Sequence, residues 1–238
     1  MKKMINALLP TKAIETLREI KNNYFDDYSI KSYSQEGEDM ILRRIFEKQK
    51  VGFYVDVGAH HPFRFSNTYY FYKQGWRGIN IDAMPGSMEP FKRFRSRDIN
   101  LEIPIGNGNQ VLTYFAFNEP ALNGFSEKLS RERHRKNGYF IRQEIKLKIS
   151  KLSSVLDKYL PQGAKIDFLS IDVEGLDFDI LQSNDWIKYK PKCILVEILA
   201  SSLHEIENME IVIFLKKYGY IVFAKAMNTI IFVQQPSN

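Results

Sequence analysis

The chain has 238 residues, 44% hydrophobic and 26% charged, with a formal net charge of +6; this suits one large α/β domain and is short for two. No apolar run reaches the ~18 residues that a membrane span requires, and residues 1–19 lack the apolar core and small-residue cleavage site of a secretory signal. The single cysteine, Cys193, cannot form an internal disulfide, which fits a reducing, cytoplasmic compartment.

The first element expected is a helix from Thr11 to Lys21, after Pro10, with Ile14, Leu17 and Ile20 at helical spacing. It is expected to pack on the main domain or on a partner subunit, which makes a homo-oligomer one possible assembly. Residues 1–32 are thus read as an N-terminal helical extension and 33–238 as the main domain. Ser34 caps a second helix over 35–49, whose stripe is Met40, Ile41, Ile45 and Phe46. Glu36, Glu38 and Asp39 fall in its first turns, where the helix dipole favours acids. A strand over Phe53–Val57 follows, then a helix over Ser66–Gln74, a strand over Gly78–Ile81, a helix over Ser87–Phe94 and a strand over Leu101–Ile105. Residues 107–149 read as an irregular, basic, strand-rich insertion with strands at Val111–Phe117 and Glu144–Ile149. Beyond it the pattern gives a helix over Leu152–Tyr159, a strand over Phe168–Ile171, a helix over Phe178–Ser183 and a strand over Cys193–Ile198. A helix over Glu207–Tyr218 and a hairpin of Tyr220–Ala224 with Ile230–Val233 end the chain. The aromatic run Tyr69–Tyr72 and Trp76 read as core packing.

Strands alternating with helices, then an antiparallel pair, give an α/β fold with a mostly parallel sheet covered on both faces. Ligands in such sheets sit beyond the C-terminal strand ends, which selects Asp56, Asp82, Gly106, Asp172 and Glu197. Asp56 enters a turn containing the single glycine Gly58, and Asp82 ends the next strand, where an acid holds ribose hydroxyls. A dinucleotide's pyrophosphate calls for a three-glycine turn and would be repelled by Asp56. S-adenosylmethionine has no phosphate and presents a sulfonium and an ammonium, so it suits this turn better than NAD. Ala59 and Ala83 join the expected cofactor contacts. The bland alternative is that Asp56 only caps the next helix.

Asp172 and Glu197, on adjacent strand ends, suit a divalent metal such as Mg²⁺ or Mn²⁺ through oxygen ligands, with His204 as a nitrogen ligand. Alternatively one group acts as a base, the candidates being Asp172, His60 and His61. Glu174 is either part of this chemistry or a helix cap. Two basic clusters stand out, Lys92, Arg93, Arg95 and Arg97, and a longer one from Lys128 to Lys148. Each is either a solvated helix face or a site for an anionic acceptor, with Arg131 and Arg133 holding a phosphate.

Together, Ser34-Gln-Glu-Gly-Glu-Asp39, Val55-Asp-Val-Gly-Ala59, Gly75-Trp-Arg-Gly-Ile79, Ile171-Asp-Val-Glu-Gly175 and Val196-Glu-Ile198 resemble the FkbM family of S-adenosylmethionine-dependent methyltransferases. The resemblance runs over 33–198 and implies a class I (Rossmann-like) methyltransferase fold that methylates oxygen, often a hydroxyl of a sugar or of a polyketide-type metabolite. It implies cofactor contacts at Ser34, Gln35, Asp56, Gly58, Asp82 and Asp172. Many members carry asparagine where this chain has His60, followed by His61 and Pro62, and lysine where it has Ser170. Acceptor activation is expected to differ at these positions. The leading expectation is an O-methyltransferase acting on a nucleotide-linked sugar or a surface glycan, with 107–149 as the acceptor wall. An RNA methyltransferase, an enzyme for a small non-sugar hydroxyl, an NAD-dependent oxidoreductase and a non-catalytic binding protein are the alternatives. Modest net charge and no appended RNA-binding module argue against a nucleic-acid partner.

Overall fold

The computed structural model describes residues 10–26, 28–198 and 202–235. The chain forms two compact units, 1–32 and 33–238. In the first, α1 (Thr11–Lys21) starts after Pro10 and runs into a π-helical turn, Asn22–Asp26. Among the described residues, no helix is long and apolar enough to cross a membrane.

The second unit opens with α2 (Glu38–Ile45), β1 (Phe53–Val57), α3 (Tyr69–Lys73), β2 (Arg77–Asp82), α4 (Met88–Phe94) and β3 (Ile99–Glu102). The insertion then supplies β4 (Val111–Phe117), α5 (Glu127–Arg133) and β5 (Ile141–Lys148). The remainder is α6 (Leu152–Tyr159), β6 (Phe168–Ile171), α7 (Asp177–Gln182), β7 (Cys193–Glu197), α8 (Leu203–Ile206), α9 (Glu210–Lys217), β8 (Tyr220–Ala226) and β9 (Thr229–Gln234). Seven strands form one sheet in the order β3-β2-β1-β6-β7-β9-β8. The first five are parallel and the last two close it antiparallel. This is the mostly parallel α/β sheet that the strand and helix pattern predicts, and it agrees with the class I fold that the resemblance implies. Strand order reverses between β1 and β6, which opens a crevice at their C-terminal ends. β4 and β5 form a separate antiparallel hairpin.

Alternation along the strands sorts the side chains between two apolar layers. Val55, Val57, Ile79, Ile81, Leu169 and Ile171 pack with α6 and α7 on one face. Tyr54, Phe168, Cys193 and Leu195 pack with Leu42, Phe46, Phe71 and Trp76 on the other. Trp76 lies 4.8 Å from Phe71 and 5.4 Å from Phe46 between ring centroids, so Phe71 and Trp76 are core.

Several boundaries differ from expectation for local reasons. α2 starts only after Gly37, whose φ of 86° is left-handed. Ser34 is not the N-cap residue, but from three positions before Gly37 its hydroxyl accepts the first-turn N–H of Asp39 (3.2 Å) and donates to the Asp39 carboxylate (3.0 Å). β3 stops at Glu102 because Pro104 has no N–H for the ladder, and Ile105 instead bridges Ser150. The expected helix over 207–218 starts later, at Glu210 after extended Met209, and a separate short helix, Leu203–Ile206, opened by a Ser202–Glu205 capping box, precedes it. Within the insertion, α5 is an addition to the expected elements. Ser126 caps it by accepting from Leu129 N–H, and its apolar content is too low to read as a stripe.

The basic cluster at 92–97 also divides. Lys92, Arg93 and Arg97 are exposed, whereas Arg95 is fully buried. Its guanidinium donates to Asp98 (3.0 Å), Tyr54 Oη (2.7 Å), Thr68 Oγ1 (3.1 Å) and the carbonyl of Pro62 (3.1 Å). Asp98 in turn accepts from Tyr54 Oη, Gly78 N–H and Asn80 Nδ2. Breaking a buried pair by removing one partner leaves an uncompensated charge and costs about 3–5 kcal/mol. Arg95→Ala is therefore expected to lower the free energy of unfolding in urea by about that amount. An unchanged urea midpoint would show that the pair is not holding the fold.

Candidate functional site

The five parallel strands deliver one side chain after another to the rim of a cavity of about 650 Å³. From the β3 side to the β7 side its floor is Ile103 and Ile105, then Ile81, Asp82 and Ala83, then Gly58, then Asp172 and Glu174, then Glu197. Gln35, His60, His61, Arg64 and Phe65 form one wall, and the insertion contributes Tyr114, Glu119, Asn123, Phe125 and Tyr139.

Gly58 is fixed by its neighbours. Its φ is 86°, and a Cβ there would stand 1.7 Å from the carbonyl oxygen of Asp172, so β1 and β6 meet only if this residue is glycine. The Asp82 carboxylate accepts from the N–H groups of His60 (3.0 Å) and Met84 (2.8 Å), which fixes the loop after β1 against the end of β2. Burial raises its pKa, and those two bonds lower it.

Two histidines sit on this loop with different roles. His61 Nδ1 accepts from Phe63 N–H and Arg64 N–H, both at 3.1 Å. Its proton therefore resides on Nε2, and the ring can donate into the site but not accept there. His60 has φ 52°, a conformation that asparagine also tolerates, and its Nε2 is buried without a hydrogen-bond partner. Burial first and the Arg64 charge second push both rings below the ordinary histidine pKa, so they are neutral at pH 7.

At the β6–β7 end, carboxylate oxygens of Asp172, Glu174 and Glu197 lie within 4.8 Å of one another. Asp172 opens into the cavity but is otherwise encircled by protein, and its pKa is raised by desolvation, then by Glu197 and Glu174. Glu197 is pushed up to about 7 by desolvation, then by Glu174 and Asp177. Asp177, just behind, is pushed up to about 8 by burial and the Asp172 charge. It is Asp177, not Glu174, that accepts the N–H groups of Val173 and Gly175 (3.3 and 3.2 Å). Glu174 is left with φ 54° and faces Arg133 across 2.7 Å. The insertion is seated directly on this turn: a Cβ at Gly124 would come within 2.9 Å of Glu174 Cβ.

Other expected site residues lie elsewhere. Asp56 is buried with its carboxylate accepting from Thr68 Oγ1 (3.0 Å) and Ser170, and is pushed up to about 6 by burial. It belongs to the Arg95 network and does not line the cavity. Ser170, which also accepts from Asn67, is likewise internal. Ser34, Ala59 and Gly106 are not on the cavity wall. His204 is exposed on α8 and is not part of the carboxylate group. Arg131 pairs with Glu144 (2.8 Å) and Glu127 (3.5 Å), Arg133 pairs with Glu174, and neither lines the cavity. The cation that does is Arg64, 3.1 Å from Glu119.

Residues 56–222 match the family described as Methyltransferase FkbM domain. The chain belongs to this family. No curated protein matches it significantly. As an FkbM methyltransferase it uses S-adenosylmethionine, and its cavity lies at the switch point where the strand order reverses.

The raised carboxylates set a sign for the pH dependence of stability in this FkbM protein. Glu197 binds its proton more tightly folded, at about 7, than at its ordinary 4.5. Its contribution is fully present below about 4.5 and is lost as pH rises through about 7. In metal-free buffer, wild type is expected to lose on the order of 2–3 kcal/mol of stability relative to Glu197→Gln between pH 5 and 7.5. Calorimetric melting of both proteins checks this, and a difference independent of pH would contradict it.

Proposed function

We propose that the enzyme transfers a methyl group to a hydroxyl of a sugar, carried on a glycan or on a nucleotide, with the sugar ring in the cavity. The observation that carries this reading is that the neutral His60 and His61 rings line one cavity with the Asp172–Glu174–Glu197 group. A neutral hydroxyl needs its proton removed as it is alkylated, and such an imidazole nitrogen suits that task. Because five carboxylates line the cavity against one arginine, a phosphate is disfavoured inside it, which favours a glycan and argues against RNA.

The cavity fits the cofactor. Asp82 gives two of its acceptor positions to His60 and Met84 and keeps others for ribose hydroxyls. Ile81, Ile103 and Ile105 offer an apolar slot beside it for the purine. Bound S-adenosylmethionine supplies an electrophilic methyl group on a sulfonium. The His60 imidazole would take the acceptor hydroxyl's proton as that oxygen is alkylated. His61 Nε2–H orients the acceptor. Asp172, Glu174 and Glu197 would hold Mg²⁺ or Mn²⁺, which supplies a Lewis acid that makes a coordinated hydroxyl more acidic. Residues 114–139 of the insertion then act as the acceptor wall.

The first test is calorimetric binding of S-adenosylhomocysteine, with NAD as control. Wild type should bind the former only, and Asp82→Ala should weaken it roughly 10- to 100-fold, the range for hydrogen bonds to a charged group. Preference for NAD would end this reading. The metal is tested separately by titrating Mn²⁺ at pH 7 in two buffers of different ionisation enthalpy. Binding should release protons from the raised carboxylates, and Glu197→Gln should diminish both the affinity and the release. No binding, together with methyl transfer indifferent to chelator, would leave His60 as the sole activating group.

A further inference from the structure

We propose that Phe65 is the platform on which the acceptor sugar ring stacks. This rests on the sugar reading above and adds where the ring lies and which face it presents. Phe65 is bulky and yet has φ 54°, is 40% exposed, and borders the cavity. Most large aromatics of this unit are packed in the two sheet layers, whereas this ring stands open at the wall. The Arg64 guanidinium lies 4.3 Å from its centroid and is itself fixed by Glu119 of the insertion. That contact covers part of the ring, and Phe65 keeps 40% of its surface exposed while lining the cavity. The neighbouring His60 ring is nearly parallel to it, at 21° with centroids 6.3 Å apart.

A ligand lying on Phe65 is therefore next to the histidine that accepts the proton. The apolar residues suited to a purine, Ile103 and Ile105, follow β3, whereas Phe65 is on the loop after β1, two strands away, and the two surfaces would serve different parts of the ternary complex. A pyranose presents a patch of C–H groups whose partial positive charge suits the negative face of an aromatic ring, and it carries no charge to be repelled by the acidic lining. The occupant of this subsite is thus a neutral sugar ring lying flat with one hydroxyl directed at His60.

The test uses the full chain loaded with S-adenosylhomocysteine and the probes methyl α-L-rhamnopyranoside, methyl α-D-mannopyranoside and methyl α-D-glucopyranoside. UDP-glucose is the charged comparator. Saturation-transfer NMR reads which sugar protons touch aromatic side chains. Phe65→Gly removes the ring and is compatible with the left-handed backbone, so it should fold at least as well as wild type, and Phe65→Trp keeps a platform. Expected are binding of at least one neutral glycoside through protons of one ring face, a loss of roughly tenfold in Phe65→Gly, and retention in Phe65→Trp. S-adenosylhomocysteine affinity should be the same in all three proteins. Glycoside binding unaffected by Phe65→Gly, a drop in cofactor affinity instead, or selective binding of UDP-glucose would each overturn the platform. If no sugar binds while S-adenosylhomocysteine does, the sugar reading itself fails and this inference with it.

Discussion

A guanidinium with no access to water, that of Arg95, ties the loop between β1 and α3 to the sheet beneath it. It reaches the Pro62 carbonyl and Thr68 on that loop and Tyr54 and Asp98 below, while Thr68 passes the connection on to Asp56. Gly58 to Thr68 carries no helix or strand, so its course depends on side-chain bonds of this kind. His60, His61 and Phe65 lie on that stretch. The loop is therefore anchored at Pro62 and Thr68, and the acid that opens the turn, Asp56, is committed to that support.

The opposite end of the cavity is built on repulsion. Parallel strands deliver Asp172 and Glu197 side by side, and the left-handed Glu174 adds a third carboxylate. Three such charges in a partly desolvated site cannot all ionise without compensation. Arg133 of the insertion supplies part of it at Glu174, and protons or a cation must supply the rest. The insertion thus serves the site twice, as wall residues and as the source of this counter-charge. The arginines that looked like phosphate ligands in the sequence are held by acids of their own protein.

How much was legible in the sequence follows from the range of the interactions involved. The apolar runs at Phe53–Val57, Gly78–Ile81, Phe168–Ile171 and Cys193–Ile198 announced the sheet because burial on both faces demands them. Asp82, Asp172 and Glu197 could be placed because strand ends in such a sheet share one rim. Asp56 misled, since alternation along β1 sends it to the face opposite Val55 and Val57, and the residues awaiting it there come from 68, 95 and 170. Arg95 hid within a run of exposed basic residues, and α5 lacked the apolar stripe that would have marked it.

The sequence by itself determined the α/β sheet, the family and the row of acids at the strand ends, because these depend on periodicity and on short spacings that any copy of the pattern would obey. Only the tertiary structure decided that Gly58 is required by the Asp172 carbonyl, that Glu174 joins the carboxylates while Asp177 holds the Val173–Gly175 turn, and that His61 carries its proton on Nε2 while His60 Nε2 is buried without a partner. Each of these is set by an atom's nearest neighbours in space. Such neighbours come from distant parts of the chain or from a local turn of the backbone, and residue spacing does not record them.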